Sequence, residues 1–503
     1  MQGLQATAVT IEVNATRGVR FVLVGLPDNA VKESHERILA AIENSGFTFP
    51  TRQITINLSP ADIRKEGSGY DLPMAIGILA TEDKVNISHL GKYMMVGELS
   101  LDGSLVPIRG ALPVAIKARE MGFEGLFVPE GNIREAAVVN KLKVYGVKHI
   151  TQVVNHLNGT ALLEPTVVDT RGEFYARQYE FDYDFADVKG QEHVKRAMEV
   201  AAAGGHNIIM IGPPGSGKSM LAKRMPSILP PLSLQESLET TQIHSVAGTL
   251  PAGCSLMAQR PYRSPHHTIS QVALVGGGTN PQPGEISLAH NGILFLDELP
   301  EFQRSVLEVL RQPLEDRVIN VSRAKYSVTF PCSFMFVASM NPCPCGYYNH
   351  PTKACCCTPG QIVRYLNKIS GPLLDRIDLQ IELSPVPFSD LSKMEPGEPS
   401  EKIRERVIRA RKIQEERFRD YALIHSNAQM TEKMLGQYCV LDSQTTEVLR
   451  EAMIRLNLSA RAYSRILKVA RTIADLEGKE NIEFAHVAEA VGYRTLDRSS
   501  WGE

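Results

Sequence analysis

One stretch of eight residues restricts the fold of this chain more than any other. It follows an apolar run, it precedes residues of high helix propensity, and it reads Gly212-Pro213-Pro214-Gly215-Ser216-Gly217-Lys218-Ser219. Glycines let backbone N–H groups turn onto phosphate oxygens, and a following helix adds positive potential there. The pattern predicts a strand, a phosphate-binding loop and a helix, in which Lys218 reaches the β- and γ-phosphates of ATP and Ser219 holds Mg²⁺. The alternative is a plain glycine turn between a strand and a helix.

A second apolar run, further along the chain, ends in two carboxylates, Asp297 and Glu298. On a parallel strand beside the loop, Asp297 would lie near the Mg²⁺ held by Ser219, and Glu298 would polarise the attacking water. Asn341 follows the next apolar run and is expected to orient that water. The alternatives are a helix cap or solvated turn for the acidic pair, and a turn residue for Asn341.

The charge and hydropathy of the chain restrict its partners and its location. Its 503 residues contain 54 Lys and Arg against 56 Asp and Glu, a formal net charge of -2. Binding of nucleic acid by bulk positive charge is therefore excluded, although a local basic patch is not. No apolar run reaches the length of about 18 residues that a membrane helix needs, and no basic leader precedes an apolar core at the start. We expect a cytoplasmic protein without a membrane segment.

The spacing of apolar residues predicts an α/β multidomain protein. At about 150 residues per domain, the length indicates about three domains. Short β-rich runs alternate with helical patterns over residues 1–165, and the polar, aromatic stretch 166–184 is interpreted as a linker. Strands alternate with helices over 185–385, as in a parallel sheet, and 386–503 has helical spacing.

Most of the cysteines lie in one short insertion, residues 343–357. Two C-x-C pairs at this separation can place four thiolates around one Zn²⁺, and a reducing cytoplasm favours metal over disulfides. The favoured ligands are Cys343, Cys345, Cys355 and Cys357, with Cys356 as a spare. A thiol cluster without metal is the alternative, because C-x-C is tighter than the C-x₂-C of common structural zinc sites.

Together with the phosphate loop, four further stretches resemble the magnesium-chelatase-like branch of the AAA+ ATPases, and within it the competence-protein-M (YifB/ComM) group. They are residues 263–267, 276–278, 283–290 and 296–302. The resemblance implies a P-loop AAA+ core with a C-terminal helical lid, in a homo-oligomeric ring that is usually a hexamer with ATP between subunits. It also implies a motor that drives branch migration of DNA, single-stranded or branched. The alternative is an ATP-driven remodeller of a protein partner, as in chelatases, without a direct role on DNA.

The same resemblance assigns two arginines. Residues 371–376 match the arginine-finger segment, so that Arg376 would reach the γ-phosphate held by the neighbouring subunit. Arg461 matches the second sensor and would contact ATP in its own subunit. The alternatives are an ion pair of Arg376 with Asp375 or Asp378 of its own chain, and an exposed helix arginine at 461.

Residues 317–329 are interpreted as a hairpin with Arg323 and Lys325 near its turn. In a ring of this branch such hairpins point into the pore, where symmetry repeats a few basic side chains and gives contacts to DNA phosphates without a basic chain overall. The alternative is a surface hairpin whose charges serve solubility.

Residues 1–165 resemble the peptidase domain of Lon-type proteases, which has a ribosomal-protein-S5-like fold. Residues 97–103 and 106–108 carry the likeness, but the catalytic pair does not follow. Gly69 stands at the position of the nucleophilic serine, and Leu112 at that of the lysine base. Ser68 and Lys117 are displaced from those positions and do not restore the dyad. We expect a non-proteolytic module that serves docking or ring organisation.

Overall fold

In the computed structural model strands alternate with helices up to Glu382, the described elements from Ser400 onward are helices, and the chain forms two units. The structure describes residues 3–251, 253–278, 281–323, 326–385, 396–421, 423–456 and 458–494. The first unit comprises Met1–Ala176 and Ser237–Met257, and the second comprises Arg177–Glu236 and Ala258–Glu503. Each unit has its own hydrophobic core.

The first unit contains two three-stranded sheets and one two-stranded sheet, in the orders β1-β3-β2, β4-β7-β8 and β5-β6. The strands are β1 Thr10–Thr16, β2 Phe21–Val24, β3 Gln53–Ser59, β4 Tyr93–Met95, β5 Glu98–Leu99, β6 Leu105–Val106, β7 Gly125–Pro129 and β8 Lys143–Val147. β3 is antiparallel to β1 and parallel to β2. Every second residue of β3 is buried (Ile54, Ile56, Leu58), because side chains alternate between the two faces of a strand.

Helices pack against these sheets. They are α1 Asn29–Lys32, α2 Ser34–Asn44, α3 Asp71–Ala80, α4 Ala111–Glu120, α5 Ile133–Ala136, α6 Ile150–Asn158 and α7 Thr170–Arg177, with 3₁₀ turns at Ile87–Lys92 and Glu130–Asn132. α3 is apolar along almost its whole length and is buried under the first sheet.

A later part of the chain also belongs to the first unit. Helix α10 (Leu234–Ala247) begins in the second unit, and from Ser237 onward it packs in the first. Leu238 packs on the core that contains Leu112, and the Ser245 hydroxyl donates to Glu135 Oε2 over 2.5 Å. The predicted boundaries of 1–165 and 185–385 do not anticipate this exchange of chain.

The second unit is built on a five-stranded sheet of order β10-β13-β16-β9-β17, in which all pairs are parallel. Its strands and two small hairpins comprise β9 Ile208–Ile211, β10 Tyr262–Arg263, β11 Gly276–Gly277, β12 Gln282–Pro283, β13 Ile293–Leu296, β14 Val318–Arg323, β15 Tyr326–Pro331, β16 Met335–Met340 and β17 Leu379–Glu382. All residues of β9, β13 and β16 are buried, as expected for a parallel sheet that is covered on both faces. The predictions of an α/β chain and of a parallel sheet are confirmed.

The remaining helices surround this sheet. They are α8 Glu192–Gly204, α9 Lys218–Arg224, α11 Gln271–Val275, α12 Glu285–Leu288, α13 Arg304–Glu308, α14 Arg311–Asp316, α15 Pro359–Leu366, α16 Gly371–Leu374, α17 Ser400–Arg417, α18 Glu432–Tyr438, α19 Ser443–Arg455, α20 Ala460–Leu476 and α21 Phe484–Gly492. The 3₁₀ turns are Phe185–Asp187, Met225–Ile228, Leu299–Glu301 and Asn427–Gln429. α17, α20 and α21 share one core with the sheet, through residues such as Val407, Ile466 and Val487. Among the described helices, none combines the length and the apolar character needed to cross a bilayer.

Candidate active site

Three adjacent parallel strands of the second unit place the predicted site residues at one edge of the sheet. β9, β16 and β13 are neighbours, and each is followed directly by a residue of the site, namely Gly212, Asn341 and Asp297. Because parallel strands present their carboxyl ends on the same side, these three positions leave the sheet together. The strand order thus brings together residues that are far apart in the sequence.

The loop between β9 and α9 has the backbone that phosphate binding requires. Gly215 and Gly217 have φ angles of +80° and +89°, in a region of backbone conformation that residues other than glycine rarely adopt. A Cβ at Gly212 would lie 2.8 Å from the Leu383 carbonyl oxygen, so this position has no room for a side chain. Gln191 donates through Nε2 to the Ser216 carbonyl at 2.9 Å.

Lys218 lies at the first position of α9 and its side chain folds back over the loop. Its Nζ donates to the carbonyl oxygens of Gly212 and Pro213 at 2.7 and 3.0 Å, and to Asn341 Oδ1 at 3.2 Å. Burial lowers the pKa of Lys218, and two nearby carboxylates act in the opposite direction. An anion in the loop would stabilise the charged form. The hydrogen bond from Nζ to Asn341 Oδ1 places Lys218 and Asn341 in contact.

Ser219 and Asp297 also meet. The Ser219 hydroxyl donates to Asp297 Oδ2 over 2.6 Å, while the other carboxylate oxygen of Asp297 accepts from the hydroxyl of Ser339 and from the backbone N–H of Glu298. A hydroxyl and a carboxylate at the end of a phosphate loop are hard oxygen ligands of the kind that Mg²⁺ prefers. These two residues would hold the ion, which would supply positive charge beside a bound phosphate.

Glu298 stands in an unusual backbone conformation. Its φ is +52°, its side chain is exposed, and it precedes the 3₁₀ turn at Leu299–Glu301. A left-handed conformation in a residue other than glycine, asparagine or aspartate is costly and often marks a functional site. The exposed side chain leaves the Glu298 carboxylate accessible to water.

Arg376 is largely buried, with 8% of the residue exposed. Its guanidinium forms an ion pair with Glu315 Oε1 at 2.5 Å. The own-chain partner is thus a glutamate of α14, whereas the sequence had suggested Asp375 or Asp378. A guanidinium held in this way is oriented before any second partner arrives.

Arg461, at the start of α20, lies next to the segment that carries Arg376. Its NH1 pairs with Asp375 Oδ2 at 2.9 Å, and 67% of its side chain is exposed. Both arginines line one cavity of about 180 Å³ together with six other residues. The lining consists of Glu315, Asp375, Arg376, Glu432, Arg461, Ser464, Arg465 and Lys468. The cavity thus contains four basic groups and three acidic ones.

Below this cavity lies a buried ionic cluster that sequence reasoning missed. Asp378 is fully buried and pairs with Arg465 at 2.9 Å and with His206 Nδ1 at 3.4 Å. Burial alone would raise the pKa of Asp378, but Arg465 and His206 hold it well below its usual range. Burial raises the proton affinity of carboxylates and lowers that of amines, and it lowers the pKa of Lys468 to about 8. The cluster fastens α20 to the start of β17.

The four cysteines predicted to bind zinc converge. The Sγ atoms of Cys343, Cys345, Cys355 and Cys357 all lie within 4.8 Å of one another, and the first three are 3.3 to 3.7 Å apart. Tetrahedral Zn–S bonds of about 2.3 Å imply sulfur separations of about 3.8 Å. Burial opposes ionisation of Cys345, but hydrogen bonds from the Tyr347 and Cys356 backbones and from neighbouring thiols outweigh it and lower its pKa to about 6. The donor set fits a zinc ion.

The cysteine loop packs directly on the phosphate loop. Gly346 has a φ of +83°, and a Cβ built on it would lie 2.6 Å from Pro214 Cδ and 3.9 Å from Asn341 Cγ. A turn residue of the cysteine loop therefore lies against the phosphate loop and near the residue expected to orient water. The sequence shows no periodicity that would have indicated this contact.

The β14–β15 hairpin is present where the sequence predicted one. The two strands are antiparallel, and Arg323 is paired with Tyr326 at the end of the described ladder. Lys325 lies outside the described residues. Arg323 is placed here only by its position on the strand.

In the first unit, the positions of the Lon dyad are occupied by residues that pack. Leu112 is fully buried in α4, and a Cβ at Gly69 would contact Val96 at 3.3 Å. The Ser68 hydroxyl donates to Glu98, and Lys117 pairs with Glu120 at 3.1 Å. The displaced serine and lysine thus each have a carboxylate partner of their own.

Comparison with known proteins identifies the family of this chain. The family model of magnesium chelatase, subunit ChlI, matches residues 184–391, that of its C-terminal part matches 397–494, and that of subunit ChlI of Mg-chelatase matches 11–132. Competence protein ComM of Haemophilus influenzae is 44% identical over 505 residues, which cover 99% of this chain and 96% of that protein. The chain belongs to the ComM/YifB family of magnesium-chelatase-like proteins. Another family member, protein YifB of Salmonella typhimurium, is 44% identical over 500 residues, with 99% and 96% coverage.

The similarity to Lon proteases is partial. Lon protease 2 of Bacillus subtilis is 31% identical over 157 residues, which are 28% of this chain and 27% of that protein. The resemblances to the ComM/YifB family and to Lon, stated from the sequence, are confirmed. Membership of this AAA+-like family supports an ATPase.

Proposed function

We propose that this protein hydrolyses ATP with Mg²⁺ and uses the energy to move DNA strands or junctions as a ring motor. The observation that carries the proposal is the meeting of Lys218 with Asn341, and of Ser219 with Asp297, at one edge of the sheet. Lys218 would bind the β- and γ-phosphates, while Ser219 and Asp297 would hold Mg²⁺. Glu298 would polarise the attacking water and Asn341 would orient it.

The nucleotide would lie between subunits. Arg376 would stabilise the negative charge that develops on the γ-phosphate of the adjoining subunit's ATP. Arg461 was expected to contact the nucleotide of its own subunit, but it lines the same cavity as Arg376. We therefore propose that both arginines face the neighbour's nucleotide, with Glu315 and Asp375 orienting them. A homo-oligomer, in this family type usually a hexamer, follows from this arrangement.

DNA is the proposed substrate of the motor. A relative that is 44% identical over nearly the whole length is named a competence protein, which supports a DNA-related role. The β14–β15 hairpin would present Arg323 and Lys325 to phosphates in the pore, and ring symmetry would multiply these charges despite the net charge of -2. Branch migration or strand separation is the finer proposal.

A second candidate function has support of its own. The three family models are named after a magnesium chelatase subunit, which favours an ATP-driven remodeller of a protein partner. On this proposal the ATP site works in the same way, but DNA does not change its rate.

The first unit and the cysteine loop would have supporting roles. With Gly69 and Leu112 at the positions of the protease dyad, the Lon-like, S5-type domain 1–165 would organise the ring or dock a partner rather than cleave peptides. The four cysteines would hold a structural Zn²⁺. Residues 386–503 would form the helical lid.

ATPase assays with single-stranded, double-stranded and branched DNA test the proposal. We expect Mg²⁺-dependent hydrolysis that branched DNA stimulates most, and loss of all hydrolysis in Lys218→Ala. Replacing Arg323 and Lys325 with alanine should remove the stimulation and retain the basal rate. An unchanged rate with every DNA, together with activation by a protein partner, would favour the chelatase-like alternative, and parental turnover in Lys218→Ala would refute the ATP site.

A further inference from the structure

Ser339 touches both acidic residues of the site although it is itself inaccessible to solvent. It lies in β16, two residues before Asn341, and none of its surface is exposed. Its hydroxyl donates to Asp297 Oδ1, and the backbone N–H of Glu298 points to the same hydroxyl oxygen at 3.4 Å. One buried hydroxyl thus links the two consecutive carboxylate residues that follow the neighbouring strand β13.

With this contact, both carboxylate oxygens of Asp297 accept hydrogen bonds. Ser219 occupies Oδ2, and Ser339 together with the Glu298 backbone occupies Oδ1. A carboxylate held at both oxygens has a fixed orientation, and charge-assisted hydrogen bonds are the strong ones. When Ser219 turns to a metal ion, Ser339 is the hydroxyl that still holds the carboxylate plane.

The same hydroxyl also supports the turn of Glu298. With φ at +52°, this residue is in a conformation that its neighbours must enforce. The turn has support at its first peptide N–H from Asp297 Oδ1 at 3.1 Å and from Ser339. Without the Ser339 hydroxyl, Asp297, the proposed Mg²⁺ ligand, and Glu298, the residue proposed to polarise water, would each lose a hydrogen bond that holds them in position.

Resting on the proposed ATPase function, we propose that Ser339 is a positioning residue that orients Asp297 for Mg²⁺ and Glu298 for the attacking water. It acts through these two residues and touches neither nucleotide nor metal. Its hydroxyl couples the metal ligand to the water-activating residue within a single site.

The test compares Ser339→Ala and Ser339→Cys with Ser339→Thr, which retains the hydroxyl. We expect kcat to fall about tenfold in the first two, as for loss of a hydrogen bond to a charged group, and the Mg²⁺ concentration for half-maximal rate to rise severalfold. Nucleotide affinity without Mg²⁺ and the melting temperature should remain those of the parent. The threonine variant should restore most of kcat, and if the alanine variant does not fold, the cysteine variant decides.

Ser287→Ala is the matched control. Ser287 is equally buried, but its hydroxyl has no hydrogen-bond partner among the described residues, so its loss should leave kcat and the Mg²⁺ requirement unchanged. In an Asp297→Asn background, Ser339→Ala should not reduce further the gain in nucleotide affinity that Mg²⁺ gives, because both changes remove the same interaction.

Two results would overturn the proposal. The first is an unchanged kcat and Mg²⁺ requirement in Ser339→Ala. The second is a fall in kcat that is accompanied by a loss of metal-free nucleotide affinity and a lower melting temperature. This combination would indicate that the serine is purely structural. Neither result concerns the ATPase function itself, which stands or fails with Lys218→Ala and the parent's own turnover.

Discussion

At the scale of single residues, much of the site rests on polar groups that are removed from solvent. His206 is fully buried, its Nε2 lies 2.7 Å from the Thr472 hydroxyl, and its Nδ1 faces Asp378. Burial lowers the pKa of His206, although Asp378 beside it acts in the opposite direction. The histidine is therefore neutral in the folded protein near neutral pH.

Acidification should destabilise the second unit through His206. In the unfolded chain His206 takes up a proton below about pH 6.5, whereas in the folded protein its pKa is lower. The free energy of unfolding therefore decreases as the pH falls below about 6.5, by up to about 1.4 kcal/mol per pH unit. The lowered pKa of Asp378 acts separately, and its contribution is lost only below about pH 3.9. In His206→Gln, the melting temperature should depend less on pH between 5 and 7. The exposed His425→Gln is the control, and equal pH dependence in all three proteins would contradict this assignment.

The residues that the sequence identified are those with a recognisable motif or strand-end position. Lys218 could be placed by the glycine-rich motif, and Asp297 and Asn341 because each follows an apolar run. Ser339 could not, because within a fully buried strand a serine resembles any other small core residue. Nor could the pairing of Arg376 with Glu315, since it depends on how α14 packs and not on spacing along the chain.

At the scale of elements, the cysteine loop with the proposed metal site lies against the phosphate loop with the proposed nucleotide site. The insertion follows β16 directly, so its first cysteine is only two residues from Asn341. We expect a change in the thiolate cluster to act on the phosphate loop through the contact of Gly346 with Pro214.

Gly346→Ala should weaken ATP binding. The added Cβ would meet Pro214 Cδ at 2.6 Å in addition to the cost of a positive φ, so one of the two loops must shift. We expect about a tenfold loss of nucleotide affinity by titration with a fluorescent nucleotide, with a small change in melting temperature. Gly478→Ala carries the positive φ without any atom within 4 Å of the new Cβ, and it should bind nucleotide like the parent. Equal affinities in both variants would show that the loop contact has no effect.

Removal of the metal should act on the same contact. Purified protein is expected to contain one zinc per chain by elemental analysis, and a chelator or Cys345→Ser should release it and lower ATPase activity. Cys356, which is exposed and outside the cluster, provides the matched variant Cys356→Ser with full zinc and full activity. A zinc content far below one per chain in the parent would contradict the assignment.

At the scale of the whole molecule, the proposed site is divided between subunits. Arg376 should therefore be needed by the neighbour and not by its own nucleotide. Lys218→Ala and Arg376→Ala should each lose most activity when assayed alone, the latter by about 1000-fold. Mixed in equal amounts, they should regain part of it, because some interfaces then combine an intact Lys218 with an intact Arg376. Absence of any recovery on mixing, with oligomers still formed, would place both residues in one subunit's reaction.

The division of the chain into units was predictable only in part. The alternation of strands and helices was sufficient to predict an α/β protein with a parallel sheet, since burial on both faces leaves continuous apolar runs. It could not predict that Ser237–Met257 packs in the first unit, because the apolar face of a helix does not identify its partner.

Helix α10 has a practical consequence for anyone who shortens this protein. A fragment that starts at residue 185 would retain the phosphate loop, but Leu238 and Ser245 would lose the residues that they contact in the first unit. Apolar surface that is normally covered would then be exposed to water. Such a truncation is expected to aggregate, and its poor behaviour would say nothing about the proposed ATPase function. Because each unit consists of two separate stretches of the chain, neither unit can be purified alone as one contiguous fragment.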